Sequence, residues 1–139
     1  MTTTYTRLRD WQSRLQACIA ARRRLAFAWG EHDCCLFAAD CVQAMTGADP
    51  AAAYRGRYDS ELGAARLLKA AGGVRGLLTE AFGEPINVRL ARVGDVGIAT
   101  IAERDHVAVC GGAMWLTTSF SGVVAALQPH MIADAWRVG

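Results

Sequence analysis

The stretch Cys34–Thr46 constrains the fold of this chain more than any other part of the sequence. It is apolar on nearly every side of a helical projection, and Asp40 is one of its few strongly polar side chains. A helix that is apolar all round is a buried one, with other elements packed about it. Asp33 stands where an N-cap residue is expected, and Gly47 stands where a helix ends. The pattern predicts a buried central helix at about 33–46.

Bulk properties restrict the class of protein. The chain has 139 residues, 53% of them hydrophobic and 20% charged, which predicts one globular domain over 1–139. A net charge of +2 gives no reason to expect binding to nucleic acid. Five cysteines, an odd number without a disulfide spacing, predict reduced thiols and folding in a cytosol. The first five residues lack the apolar core of a signal peptide, and no run is long enough to insert into a membrane.

The remaining pattern predicts an α+β protein. Helices are expected at about 6–24, 60–71 and 74–82. The later residues form short Val- and Ile-rich runs that alternate with period two, as strands do. Gly111-Gly112 suits a two-residue hairpin turn between two of them. We expect N-terminal helices and the central helix to pack on a C-terminal antiparallel meander. The predicted strands are Ile86–Leu90, Asp95–Ile101, His106–Cys110, Ala113–Thr117, Val123–Leu127 and Ala133–Val138.

Cys34 opens the central helix, where a thiol is most easily ionised. Unpaired N–H groups and the positive end of the helix dipole stabilise a thiolate there. His106 begins a predicted strand and is the best-placed base, while Thr117, Thr118 and Ser119 are the only local candidates to orient it. Simple core packing is the alternative for any of these cysteines.

Two further hypotheses concern ligands. His32, Cys34, Cys35, His106 and Cys110 carry metal-binding atoms, but no Cys-x-x-Cys or His-x3-His pair accompanies them, so no metal is predicted. Two guanidinium groups and two phenols of the 48–58 loop either face a polar ligand or pin the loop to the body of the protein: Tyr54, Arg55, Arg57 and Tyr58.

Four short segments form a recognisable series: Phe27-Ala-Trp29-Gly30, Asp33-Cys34, Gly94-Asp95-Val96 and Asp105-His106-Val107. An aromatic-x-Trp-Gly segment leading to Asp-Cys, a Gly-Asp-Val strand and a His-Val strand resemble the motifs of the NlpC-type cell-wall cysteine peptidases, which have a papain-like fold. The resemblance covers roughly residues 25–118. Further matches such as Tyr-Arg-Gly-x-Tyr and a closing Ala-Trp-Arg-Val look like a small branch encoded among phage and prophage tail genes.

The resemblance implies a site and a setting. Cys34 would be the nucleophile, His106 the base and Thr117 the orienting residue, without metal or cofactor. Trp29, Asp33, Tyr54 and Arg55 are the predicted substrate-binding residues. The substrate would be the stem peptide of peptidoglycan, cut to aid genome entry by a protein that is made in the bacterial cytoplasm and assembled into the virion tail beside tail-tip or baseplate proteins.

The chain differs from this family at three places. Cys35-Leu36 replaces the usual Ser-Gly, Phe27 replaces a tyrosine, and the third catalytic residue has no His, Asn or Gln counterpart. A non-catalytic assembly component of a tail tip that keeps the papain-like fold is therefore the alternative.

Overall fold

The computed structural model describes residues 4–120 and 123–139. Within them the chain forms an α+β structure, as the sequence predicts. Its helices are α1 (Trp11–Arg22), α2 (Cys34–Thr46), α3 (Glu61–Ala71) and α4 (Gly73–Phe82). Its strands are β1 (Val96–Ile101), β2 (Arg104–Cys110), β3 (Trp115–Thr118), β4 (Val124–Leu127) and β5 (Ile132–Trp136). None of the described helices is long and apolar enough to cross a membrane.

The five strands form one antiparallel sheet in the order β4-β3-β2-β1-β5. The first four make the expected meander, but β5 returns to the far edge beside β1. In a flat sheet these edges would lie roughly 19 Å apart. The five steps from Leu127 to Ile132 reach at most about 18 Å when fully extended, and a 3₁₀ turn at Pro129–Met131 shortens them. The sheet must therefore curl, which brings its edges together.

The curled sheet has an apolar core on each face. Val96, Ile98, Val107 and Val109 pack against α1, α2 and α4, whereas Ala99, Ala108, Trp115 and Ile132 form a smaller cluster on the other side. The alternation along β1 and β2 accounts for this division. Within the larger core, α2 is the buried element that the sequence predicts, with Phe37, Cys41, Val42 and Met45 fully covered.

Three sequence predictions about element boundaries were wrong. The first helix begins at Trp11 because Arg7 lies outside it and donates hydrogen bonds to Asp95 and to the carbonyl of Val138. The 86–90 stretch is not a strand: Ile86 makes one bridge to Ala135, and a 3₁₀ turn follows at Val88–Leu90. The link from β2 to β3 has four residues, 111–114, because Cys110 pairs with Trp115.

A two-residue hairpin occurs instead between β1 and β2. Ala102 and Glu103 both have positive φ, 50° and 66°, and Ile101 pairs with Arg104 across the turn. Positive φ at both central positions is the geometry of a type I′ turn, which matches the twist of the strands. This turn starts β2 two residues earlier than predicted and sets the register that places His106 opposite Ala99.

Candidate active site

Asp33 fixes the start of α2. Its extended backbone ends the preceding loop, and its carboxylate accepts hydrogen bonds from the Leu36 N–H (2.9 Å), the Gly30 N–H (3.0 Å) and the Tyr58 hydroxyl (2.5 Å). The side chain is 2% exposed. The prediction that Asp33 binds substrate therefore needs correction: its oxygens are occupied by the protein, and they position the helix start that carries the thiol.

Cys34 is partly exposed and lines a cavity. Its pKa is lowered from an ordinary 9.0 to about 6, first by a hydrogen bond with the Cys35 thiol, against the opposing effect of burial. A hydrogen bond and the charge of the His106 ring lower the pKa further, as does a backbone hydrogen bond at Val107. The structure thus brings Cys34 and His106 together, as the sequence predicts.

Cys35 shares a proton with its neighbour. Its pKa is raised well above the ordinary value by the hydrogen bond to Cys34, by burial and by the nearby negative charge. Two coupled thiols titrate as a pair, so the first proton lost belongs to the pair. Because His106 acts on Cys34, the thiolate resides on Cys34 and the remaining S–H proton stays on Cys35.

His106 is the histidine that meets this pair. It lies in β2 and lines the same cavity. His32, which is close to Cys34 in sequence, is instead 6% exposed and lies edge-on to Phe37, with ring centroids 6.1 Å apart. Burial lowers the pKa of His32. The base therefore comes from the sheet and not from the loop before the nucleophile.

The first turn of α2 also offers backbone donors. The first four N–H groups of an α-helix have no partner within the helix. The Leu36 N–H is occupied by the Asp33 carboxylate, and the first bond of the helix itself runs from the Phe37 N–H to the Asp33 carbonyl. The Cys34 and Cys35 N–H groups remain at the positive end of the helix dipole, next to the sulfur. Such donors suit the oxyanion of an acyl-transfer reaction.

Thr117 does not fill the orienting role predicted for it. It is 2% exposed, and its hydroxyl donates to the carbonyl of Val107 at 2.8 Å. The single hydroxyl proton is therefore committed to the backbone of β2. Within residues 4–120 and 123–139, the Thr117 hydroxyl makes no hydrogen bond to the imidazole of His106. Thr117 thus ties β3 to the strand that carries the base.

Arg55 braces the loop and does not reach the cavity. Its guanidinium donates to Asp49 at 2.7 Å and to Asp40 at 2.7 Å, and Asp40 also accepts from Arg22 at 2.8 Å. This is the loop-pinning arrangement that the sequence left open, so the prediction that Arg55 binds substrate is not supported. The neighbouring Tyr54 does line the cavity.

Trp29 lies on an aromatic wall of the cavity. Its ring is 4.9 Å from Phe27 in an edge-on arrangement and 6.0 Å from Phe120. Phe120 is 60% exposed, and the guanidinium of Arg104 lies over it. The predicted contact of Trp29 with a ligand is therefore compatible with its place in the structure.

Sequence reasoning did not assign the roles of three members of the site. Cys35 entered only as a candidate metal ligand and as a departure from the family pattern, although its position next to Cys34 was the available signal. Tyr58 was grouped with the loop, and nothing in the sequence pairs it with Asp33. Phe120 lies about ninety residues from Trp29 in the chain, and the tertiary fold brings the two rings together. No group of three or more His, Cys, Asp or Glu side chains in residues 4–120 and 123–139 is arranged to hold a metal ion.

The fold and the site define an α+β protein with a thiol and an imidazole paired at the start of a buried helix. The chain belongs to a family described as a domain of unknown function (DUF6950), whose model matches residues 6–138. No curated protein matches the sequence.

Proposed function

We propose that this protein is a papain-like cysteine peptidase of the NlpC type, which hydrolyses peptide bonds in peptidoglycan stem peptides. The observation that carries the proposal is the Cys34–His106 pair at the rim of a cavity, with the pKa of Cys34 lowered to about 6. A thiolate at neutral pH is the species that attacks a carbonyl carbon. The peptidoglycan substrate and a place at a phage tail tip beside other tail proteins rest on the sequence resemblance.

The reaction uses these groups in two steps. The Cys34 thiolate attacks the carbonyl carbon of the scissile bond, and the N–H groups of Cys34 and Cys35 stabilise the oxyanion. The C–N bond breaks, the leaving amine takes a proton from His106, and an S-acyl enzyme remains. His106 then accepts a proton from water as the water attacks the thioester. The carboxylate product leaves, and Cys34 returns to its thiolate form.

The test is release of peptide fragments from purified peptidoglycan. Wild-type protein should release them, Cys34→Ala should not, and Cys110→Ala should behave as wild type because Cys110 lies in the smaller core outside the site. Circular dichroism should show that all three proteins are folded. Equal release by wild type and Cys34→Ala would rule out the proposed nucleophile.

A non-catalytic assembly component of a phage tail tip is the second candidate. It is favoured by the hydrogen bond of Thr117 to the Val107 carbonyl, which leaves His106 without the predicted orienting group. In that case particles carrying Cys34→Ala would form and infect normally, and no fragments would be released by the wild-type protein. Loss of infection by Cys34→Ala particles that assemble normally would favour the peptidase.

A further inference from the structure

The cavity beside Cys34 is large and extends well beyond the reacting atoms. Its volume is about 790 Å³, within the range of pockets that hold small molecules. It follows α2 from Cys34 as far as Val42, about 12 Å along the helix axis, and is covered by residues of α3 and α4. When a substrate carbonyl reacts at Cys34, the group attached to that carbonyl can therefore extend into a long space inside the protein.

The inner part of this cavity is apolar. The floor is made by α2 and the roof by α3 and α4, with Ala38, Ala39, Val42, Ala64, Leu68 and Leu78 among the lining residues. All six are hydrophobic, and the alanine side chains on α2 and α3 keep the space open. An apolar chain placed there would be removed from water, which is favourable in proportion to the area buried.

The charged groups that line the cavity are occupied or exposed. Asp33 is used by the helix cap, Asp49 is paired with Arg55, and Glu61 is paired with Arg104. Lys69, Glu80 and Asp105 also line the cavity but are exposed to solvent. A charged peptide drawn into the inner part would lose its hydration without gaining a partner. The interior therefore selects against the charged residues of a stem peptide.

We propose that Cys34 also hydrolyses esters and thioesters of apolar acyl chains, with the chain lying between α2 and the α3–α4 pair. This inference rests on the Cys34 chemistry proposed above, but it assigns the inner cavity to an acyl group unlike a stem peptide. In the reaction the thiolate attacks the ester carbonyl, and the C–O or C–S bond breaks. The leaving alcohol or thiol takes the proton from His106. Water then cleaves the S-acyl enzyme to give a carboxylate, and His106 accepts the proton that the water loses.

The experiment compares 4-nitrophenyl acetate, butyrate and octanoate as substrates, each below its solubility limit. Burying one methylene group contributes about 0.8 kcal/mol, or roughly a fourfold gain in kcat/KM. We therefore expect kcat/KM to rise on the order of tenfold from acetate to butyrate, and further for octanoate. Cys34→Ala should abolish the hydrolysis of all three.

A cavity-filling variant links the chain-length preference to this space. Ala64→Leu, on the roof of the cavity, should lower the ratio of octanoate to acetate kcat/KM at least several-fold. Ala70→Leu is the matched control, because it makes the same change on α3 at an exposed position that does not line the cavity. If Ala64→Leu does not fold, Ala81→Leu on α4 fills the same cavity from another position.

The outcomes separate this inference from the proposed function. Hydrolysis that depends on Cys34 but shows no preference for longer chains would overturn the inference and leave the nucleophile intact. An equal loss of preference in Ala64→Leu and Ala70→Leu would also overturn it. If no ester is cleaved in a Cys34-dependent way and Cys34 shows no thiolate reactivity at neutral pH, the proposed function fails together with the inference.

Discussion

The ionisation of Cys34 can be tested by the pH dependence of its alkylation. With a pKa of about 6, about 90% of this thiol is ionised at pH 7, against about 1% for a thiol at the ordinary 9.0. We expect the rate of reaction with iodoacetamide to rise with pH to a midpoint near 6 and then to level off. Cys35, Cys41 and Cys110, whose pKa values are raised above the ordinary one, should still be gaining reactivity above pH 8.

The alkylation rate at a single pH reports the pKa of Cys34 less well than the midpoint of the pH profile does. A thiolate loses nucleophilicity as its pKa falls, with a Brønsted coefficient of about 0.4–0.5. A drop of three pKa units therefore slows the thiolate by roughly 15- to 30-fold, which offsets most of the roughly 90-fold gain in its population. Cys34 should react only a few times faster at pH 7 than an equally accessible ordinary thiol. The assay must resolve the full pH profile of each cysteine, by peptide mass spectrometry.

Removing the imidazole tests the cause of the shift. His106→Ala takes away a hydrogen bond and a charge that lower the pKa of Cys34, so the midpoint should move toward the ordinary cysteine value. His130→Ala is the control, because His130 is exposed in the turn at Pro129–Met131. A wild-type midpoint near 9, or equal midpoints in the two variants, would refute the pairing of Cys34 with His106.

Three further predictions concern residues that position or stabilise the site. Cys35→Ala should raise the midpoint pH of Cys34 alkylation, because it removes the largest cause of the lowered pKa. Cys35→Ser should restore part of the pKa shift by supplying a hydroxyl donor, and identical midpoints in the two variants would contradict this role. Asp95→Ala should lower the free energy of unfolding by about 3–5 kcal/mol and Tm by roughly 10 °C or more. The reason is that this fully buried carboxylate accepts hydrogen bonds from Arg7 and the Val138 N–H. An unchanged thermal melt would show that these bonds are dispensable. Gly30→Ala should destabilise the fold by on the order of 1–3 kcal/mol in chemical denaturation, because Gly30 has φ of 81° and an added Cβ would overlap the Tyr58 carbonyl; a neutral effect would mean that the loop adjusts freely.

The helices could be predicted from the local sequence pattern, but the structure of the segment that follows α4 could not. Ser60 caps α3 through the Gly63 N–H, and Gly72 ends it with φ of 88°. These are signals that a short sequence window contains. In contrast, the stretch 86–90, which alternates apolar and polar residues, reads as a strand in isolation, yet Asn87 caps a 3₁₀ turn there. The contact of this stretch with the sheet is the bridge from Ile86 to Ala135 of the edge strand β5.

The sequence predicts the reacting residues of the site but not the residues that bind substrate or orient the base. Cys34 and His106 were identified from their positions at the start of a helix and of a strand. Arg55 and Thr117 carry the right chemical groups for binding and orientation, but both donate their hydrogen bonds to oxygen atoms of the protein itself. A side chain's partners depend on which elements pack together, and short-range sequence patterns do not specify that packing.

Local sequence patterns suffice to predict the buried α2, its capped start and the thiol there, because hydrophobic periodicity and capping act over a few residues. The curl of the sheet, the contact of Cys34 with His106 and the apolar cavity beneath α3 and α4 arise from long-range packing. These depend on contacts between residues far apart in the chain, whose free energies are realised only when the whole core is assembled.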